Sequence, residues 1–180
     1  LLLRAEKEGV HIILAQETRF KDTYTIPIGQ WLLISSGVHN AHAYTHRTMP
    51  NTGVAIYLNP KVKDATINYV TVSDRILSTT ILTKSGPLAI VNHHAPDEMK
   101  HIDTKTAHWD LLSTTVNNLQ SDANKLIIGD TNIRWHGRYS GEEDILGPYI
   151  FGKGTDYLET HQHENRDLGV SFLRSHKLHF

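Results

Sequence analysis

Two short apolar runs end in the same way. Val10 to Ala15 (VHIILA) gives way to Gln16-Glu17-Thr18, and Lys125 to Gly129 (KLIIG) gives way to Asp130-Thr131-Asn132. Compact β-branched runs of this length are strands of the kind buried on both faces of a sheet. Each acid therefore stands just past a rigid strand, where a carboxylate can be held in place instead of wandering on a loop. A chain built around two such strands needs a sheet with helices packed over it.

The segments between them supply both. Residues 1 to 8 (LLLRAEKE) read as the last turns of a helix, with Gly9 as its left-handed C-terminal residue. Strands are expected at Trp31–Ile34, Gly53–Leu58, Ala65–Val72, Arg75–Thr83 and Leu88–Asn92. Lys84-Ser85-Gly86-Pro87 turns between two of these, which makes the middle of the chain an antiparallel meander. From Asp103 to Asn118, Ala107, Leu111, Leu112 and Val116, with Leu119 just beyond, recur at helical spacing, and Asp103 or Thr104 is the expected N-cap. Gly137 to Gly154 reads as a loop, and Asn165 to Lys177 as a final helix with Leu168, Phe172 and Leu173 inward. This order gives a single α/β domain over residues 1–180, helices covering a mixed sheet.

Composition removes several chemistries. Without cysteine there is no disulfide, thiolate zinc site or cysteine nucleophile, which suits an intracellular compartment. No apolar run reaches membrane-spanning length and no signal-peptide pattern opens the chain, so no membrane partner is expected. With 18 Lys+Arg against 19 Asp+Glu, a formal charge of -1, any nucleic acid would have to be met by a local patch and a metal.

The chemistry lies at the strand ends. Glu17 can serve a divalent cation, Asp130 can orient and deprotonate a water, and Asn132 can donate to a phosphate oxygen. Period-two alternation would put Asp130 and Asn132 on one side if the strand continued. A third strand end, Asn92-His93-His94-Ala95-Pro96, offers one imidazole to the same site, because neighbouring strand residues point oppositely. Thirteen histidines also allow a zinc reading at His161 and His163, or at His39, His42 and His46, but these lie in loops without an accompanying Cys or HExxH, and solvated loop histidines are the better reading.

Together, QETRF at 16–20, GVAIYL at 53–58, HAP at 94–96, GDTN at 129–132 and ENRDLGVSFLRSHKL at 164–178 resemble the endonuclease/exonuclease/phosphatase superfamily. More narrowly they resemble the endonuclease domains of non-LTR retrotransposons and craniofacial development protein 2-like relatives. The resemblance implies a fragment of a DNase I-like four-layer α/β sandwich with mixed β-sheets. Glu17 would be the metal-binding carboxylate, Asp130 the residue that activates water, Asn132 the donor to the scissile phosphate, and Mg²⁺ or Mn²⁺ the cofactor. It further implies a DNA substrate, a C-terminal reverse transcriptase domain and a nuclear location. His94 stands where the family usually has Tyr, and would change charge near neutral pH. The family's first strand would lie upstream of Leu1, and its last Asp and Ser-Asp-His motifs downstream of Phe180. This segment alone is accordingly expected to be a weak or inactive nuclease. Phosphoesterases acting on RNA, inositol phosphates or lipids, and a non-catalytic remnant or binding module, are the competing readings.

Overall fold

The computed structural model describes every residue except His46, Arg47, Met49 and Gln162. It comprises two compact units, one of residues 1–94 with 118–130, the other of residues 95–117 with 131–180.

The first unit is built on two sheets. One has the order β1-β4-β3-β2, all antiparallel, from β1 (Ile12–Ala15), β2 (Tyr24–Ile28), β3 (Trp31–Ser36) and β4 (Val54–Leu58). The other has the order β5-β6-β7-β8, from β5 (Thr66–Ser73), β6 (Ile76–Thr83), β7 (Gly86–His94) and β8 (Asn124–Asp130). The expected meander is β5 to β7, and β8 adds in parallel to β7. The sheets face each other: β4 packs across β6 and β7, β3 across β5 and β6, and β1 across β8. Their shared core is Ile34, Val54, Ile56, Leu58 and Leu77, all essentially inaccessible.

α1 (Leu2–Lys7) is fastened to β3 by Glu6, whose carboxylate accepts from the Trp31 indole N–H at 2.7 Å, and it ends before Gly9 at φ +71°. Asn59 caps a short helix, α2 (Pro60–Lys63), through its side chain, with Pro60 at the first helical position where its missing N–H costs nothing. β2 carries Pro27 and lies at a sheet edge, where a strand tolerates proline.

Burial departs from expectation at both acidic strands. β1 is only half-buried along its length, and β8 leaves Leu126 and Ile128 about two-fifths exposed. Each is the terminal strand of its sheet, and exposure along β8 alternates, so Leu126 and Ile128 share its more open face. Apolar runs identify strands but not how many partners they have.

The second unit is helical. α3 (Ile102–Asn117) buries Lys105, His108, Trp109, Leu112, Thr115 and Val116, whereas Ala107 and Leu111 are exposed. The buried face is thus rotated from the expected one toward Trp109, whose ring meets Phe172 of α5 (Glu164–His176) at 5.5 Å. The α3 cap also lies earlier than Asp103 or Thr104: Nδ1 of His101 accepts from the Asp103 N–H. In α5, Asn165, Arg166, Gly169, Val170 and Phe172 are buried, while Leu168 and Leu173 are half-buried. A further short helix, α4 (Thr155–Thr160), interrupts the long loop before it. Among the described residues, no helix is long and apolar enough to cross a membrane.

Candidate active site

The end of β1 is held by a buried polar residue on the opposite sheet. Asn92 of β7, fully inaccessible, donates from Nδ2 to the carbonyls of Ala15 on β1 and Ala55 on β4, at 3.0 and 2.9 Å. Its Oδ1 accepts from Nε2 of Gln16 at 2.5 Å. One side chain therefore ties β1, β4 and β7 together, one residue before Glu17.

Glu17 then leaves the strand with φ +52°, an uncommon left-handed conformation for a residue with a side chain. Such a geometry costs on the order of 1–3 kcal/mol and persists only where neighbours enforce it. Here the following amides of Thr18 and Arg19 donate to the carbonyls of Gly53 and Thr52. Gly53, at φ +88°, must be glycine: a Cβ there would lie 2.6 Å from Oγ1 of Thr18. The result is a half-exposed carboxylate fixed at the end of a buried tether.

The Glu17 carboxylate faces His94, with Oε1 to Nε2 3.8 Å. His94 is the last residue of β7 and is 4% exposed. Its backbone is locked to Arg75, which accepts from the His94 N–H and donates from Nη1 to the His94 carbonyl. Among the described residues, Nδ1 of His94 has no hydrogen-bond partner. Burial first, and then Arg75, push the His94 imidazole below its ordinary pKa, while Asp130, Glu17 and Asp74 pull it back up. The net shift is downward, so His94 is neutral at neutral pH, contrary to the expectation of a charge change there. His93 is buried too, and burial takes its imidazole down to about 4.

Asp130 is the last residue of β8, directly opposite His94 in the parallel register. Gly129 precedes it beside His93, and a Cβ at that position would collide with the His93 carbonyl. The glycine thus lets β8 run close enough for Asp130 and His94 to be neighbours. The first unit therefore brings together Glu17, His94 and Asp130, together with Arg75, Asp74 and Asn92, which sequence reasoning missed. A buried Asn inside an apolar run carries no signal that separates it from a strand end.

Asn132 belongs to the second unit. The strand does not continue to it: β8 stops at Asp130, and Asn132 adopts φ +50°. Alternation thus fails here, and the Asn132 amide donates to the Ala95 carbonyl at 2.7 Å. Among the described residues the zinc candidates do not converge on a ligand set, although the His161 and His163 rings lie 6.3 Å apart. His42 lies 3.3 Å from Asp22, His161 stacks on Tyr157, His39 meets Asn40, and His46 lies outside the described residues. Among the described residues, no group of three or more His, Asp or Glu could hold a metal ion. A hard cation that keeps most of its water needs only one or two carboxylates, and Glu17 fits that demand.

Residues 2–163 match the model of the Endonuclease/Exonuclease/phosphatase family. Among solved structures, the human Nocturnin catalytic domain with bound sulfate anion is similar at TM-score 0.52 and 16% identity, covering 74% of this chain and 56% of that one. That likeness speaks to the fold, an α/β architecture with the DNase I-like pairing of two sheets. No curated protein matches the chain.

Proposed function

The chain belongs to the endonuclease/exonuclease/phosphatase family, and we propose that it is a metal-dependent phosphodiester hydrolase that nicks DNA, of the kind carried by non-LTR retrotransposons. The observation that carries this reading is the meeting of Glu17, His94 and Asp130 at the ends of three strands of one unit. Glu17 would hold Mg²⁺ or Mn²⁺ with water completing the shell, and the ion would supply charge neutralisation at the phosphate and stabilisation of the leaving oxygen. Asp130 orients a water for in-line attack and accepts its proton. Asn132, in the second unit, carries the amide that the family resemblance assigns to a phosphate oxygen. Neutral His94 donates a hydrogen bond to phosphate from an imidazole with no need to lose a proton first.

DNA is favoured over other phosphoesters by the motif set QETRF, GDTN and ENRDLGVSFLRSHKL, the last of which forms α5. A nuclear location and an attached reverse transcriptase domain go with that reading. A second reading, a fold that has lost catalysis, is favoured by His94 in place of tyrosine. Nicking of supercoiled plasmid separates them. The hydrolase reading expects Mg²⁺- or Mn²⁺-dependent conversion to open circles, abolished by EDTA and by Asp130→Ala. Failure of plasmid, RNA and small phosphodiesters alike to be cut with either metal would leave the remnant.

A further inference from the structure

The second unit contains a cavity of about 400 Å³ lined by Asp97, Glu98, Met99, Asn132, Arg134, His136, Tyr157, His161, His163 and Arg166. Its acids are already engaged. Glu98 accepts from Lys105 Nζ and from the backbone amides of Glu164 and Asn165. Asp97 accepts from the Met99 amide and lies 3.9 Å from Lys100. Arg166 is engaged as well, on Glu142 and the carbonyls of Trp135 and Gly137.

The opposite wall is uncompensated. Arg134 is exposed and, among the described residues, has no ion-pair partner. Beside it the rings of His136, His163 and His161 lie 5.3 and 6.3 Å apart in succession, with Lys153 over Tyr157 at 4.3 Å. Nε2 of His163 is buried without a hydrogen-bond partner among the described residues, and a buried polar atom of that kind implies a group that completes it. The His136 imidazole sits below its ordinary pKa through burial, and then through His163, Lys153, Arg134 and His161, all cationic or potentially so. Together these features gather positive and protonatable donors on one side of the cavity, the chemistry that suits an anion.

We propose that this cavity is a subsite for a phosphate group of a nucleic-acid strand, with Arg134 and the imidazoles of His136, His161 and His163 as its donors. The inference rests on the phosphodiesterase reading, which supplies the nucleic-acid strand. It adds the residues that grip the substrate strand.

The test needs no catalysis. Histidine side-chain ¹H–¹⁵N spectra are recorded in EDTA while the chain is titrated with a short single-stranded oligonucleotide and, separately, with inorganic phosphate. The subsite expects the His136, His161 and His163 resonances to move with the oligonucleotide while His11 does not. Arg134→Gln, at an exposed position that spares the fold, should weaken that response by about tenfold, the effect of one charge-assisted contact. Shifts with inorganic phosphate but not with the oligonucleotide would overturn the strand assignment in favour of a small-anion site. Absence of shifts with both would overturn the subsite altogether. Plasmid nicking with metal, measured in parallel, reports on the hydrolase reading by itself: nicking without cavity shifts defeats the subsite alone.

Discussion

The Nε2 atom of His94 lies 3.8 Å from a carboxylate oxygen of Glu17, beyond hydrogen-bond reach but well within range of a charge. Burial and Arg75 keep the imidazole neutral at neutral pH, while Glu17 and Asp130 act the other way. The pair is therefore a dipole facing a carboxylate, and becomes an ion pair only in acid.

Removing the Glu17 charge should accordingly lower the His94 titration midpoint further. Glu17→Gln, followed by histidine NMR across pH, is the direct measurement. Mg²⁺ added to the unaltered chain should move the midpoint the same way if Glu17 binds it, because the cation cancels the charge that supports protonation. An Mg²⁺ effect that survives Glu17→Gln would place the ion elsewhere.

Asn92 should be the most sensitive polar residue of the two-sheet unit. Truncation to Ala strips the Ala15 and Ala55 carbonyls of their donor inside a sealed interface, and should cost about 3 kcal/mol of stability in urea unfolding. Asn92→Asp should cost at least as much, because it presents an oxygen to two carbonyls. A loss under about 1 kcal/mol would mean that these carbonyls find other partners.

Acid should destabilise the same unit through His93. Its folded pKa of about 4 lies below the ordinary 6.5, so on acidification the unfolded chain takes up a proton that the folded chain refuses. Stability is then fully present above the unfolded value, falls from about pH 6.5 to about pH 4, and levels off below. The loss amounts to about 3 kcal/mol at most. His94 adds in the same direction. Urea midpoints at pH 7, 5.5 and 4.5 measure it. His93→Gln should flatten the curve over that window, and an unchanged slope would remove His93 from the explanation.

The strands that carry these residues were legible because each is an apolar run bounded by turn residues, and the GDTN and QET triplets marked where they end. Exposure of β8 was not legible, since an apolar run does not say that one face of an edge strand, here the one with Leu126 and Ile128, stays open. The face of α3 was misjudged for a related reason: hydropathy ranks Ala107 and Leu111 above Lys105. Yet Lys105 is buried because Glu98 and Glu164 neutralise it at 3.4 and 2.5 Å. Partners across the chain, invisible to a local window, decided both. Asn132 failed the alternation argument because that argument needed a strand two residues longer than β8, and Asn132 leaves extended backbone at φ +50°.

The second unit should depend on Arg166 and Glu142, which are 3% and 7% exposed and joined by two hydrogen bonds of 3.1 and 2.6 Å. A buried pair of this kind contributes little relative to apolar residues of the same volume, but losing one member strands the other's charge. Glu142→Gln leaves the guanidinium without a counter-charge and should destabilise by about 3–5 kcal/mol. Arg166→Met strands the carboxylate, and also releases the Trp135 and Gly137 carbonyls that Arg166 satisfies, so it should cost more. The double variant Glu142→Gln with Arg166→Met removes both charges, and should be more stable than Arg166→Met alone, short of the parent by the cost of the two carbonyls. Urea unfolding of all four proteins gives the coupling directly. Additive losses would mean that water reaches the pair and that the ion pair does not hold the 131–154 loop to α5.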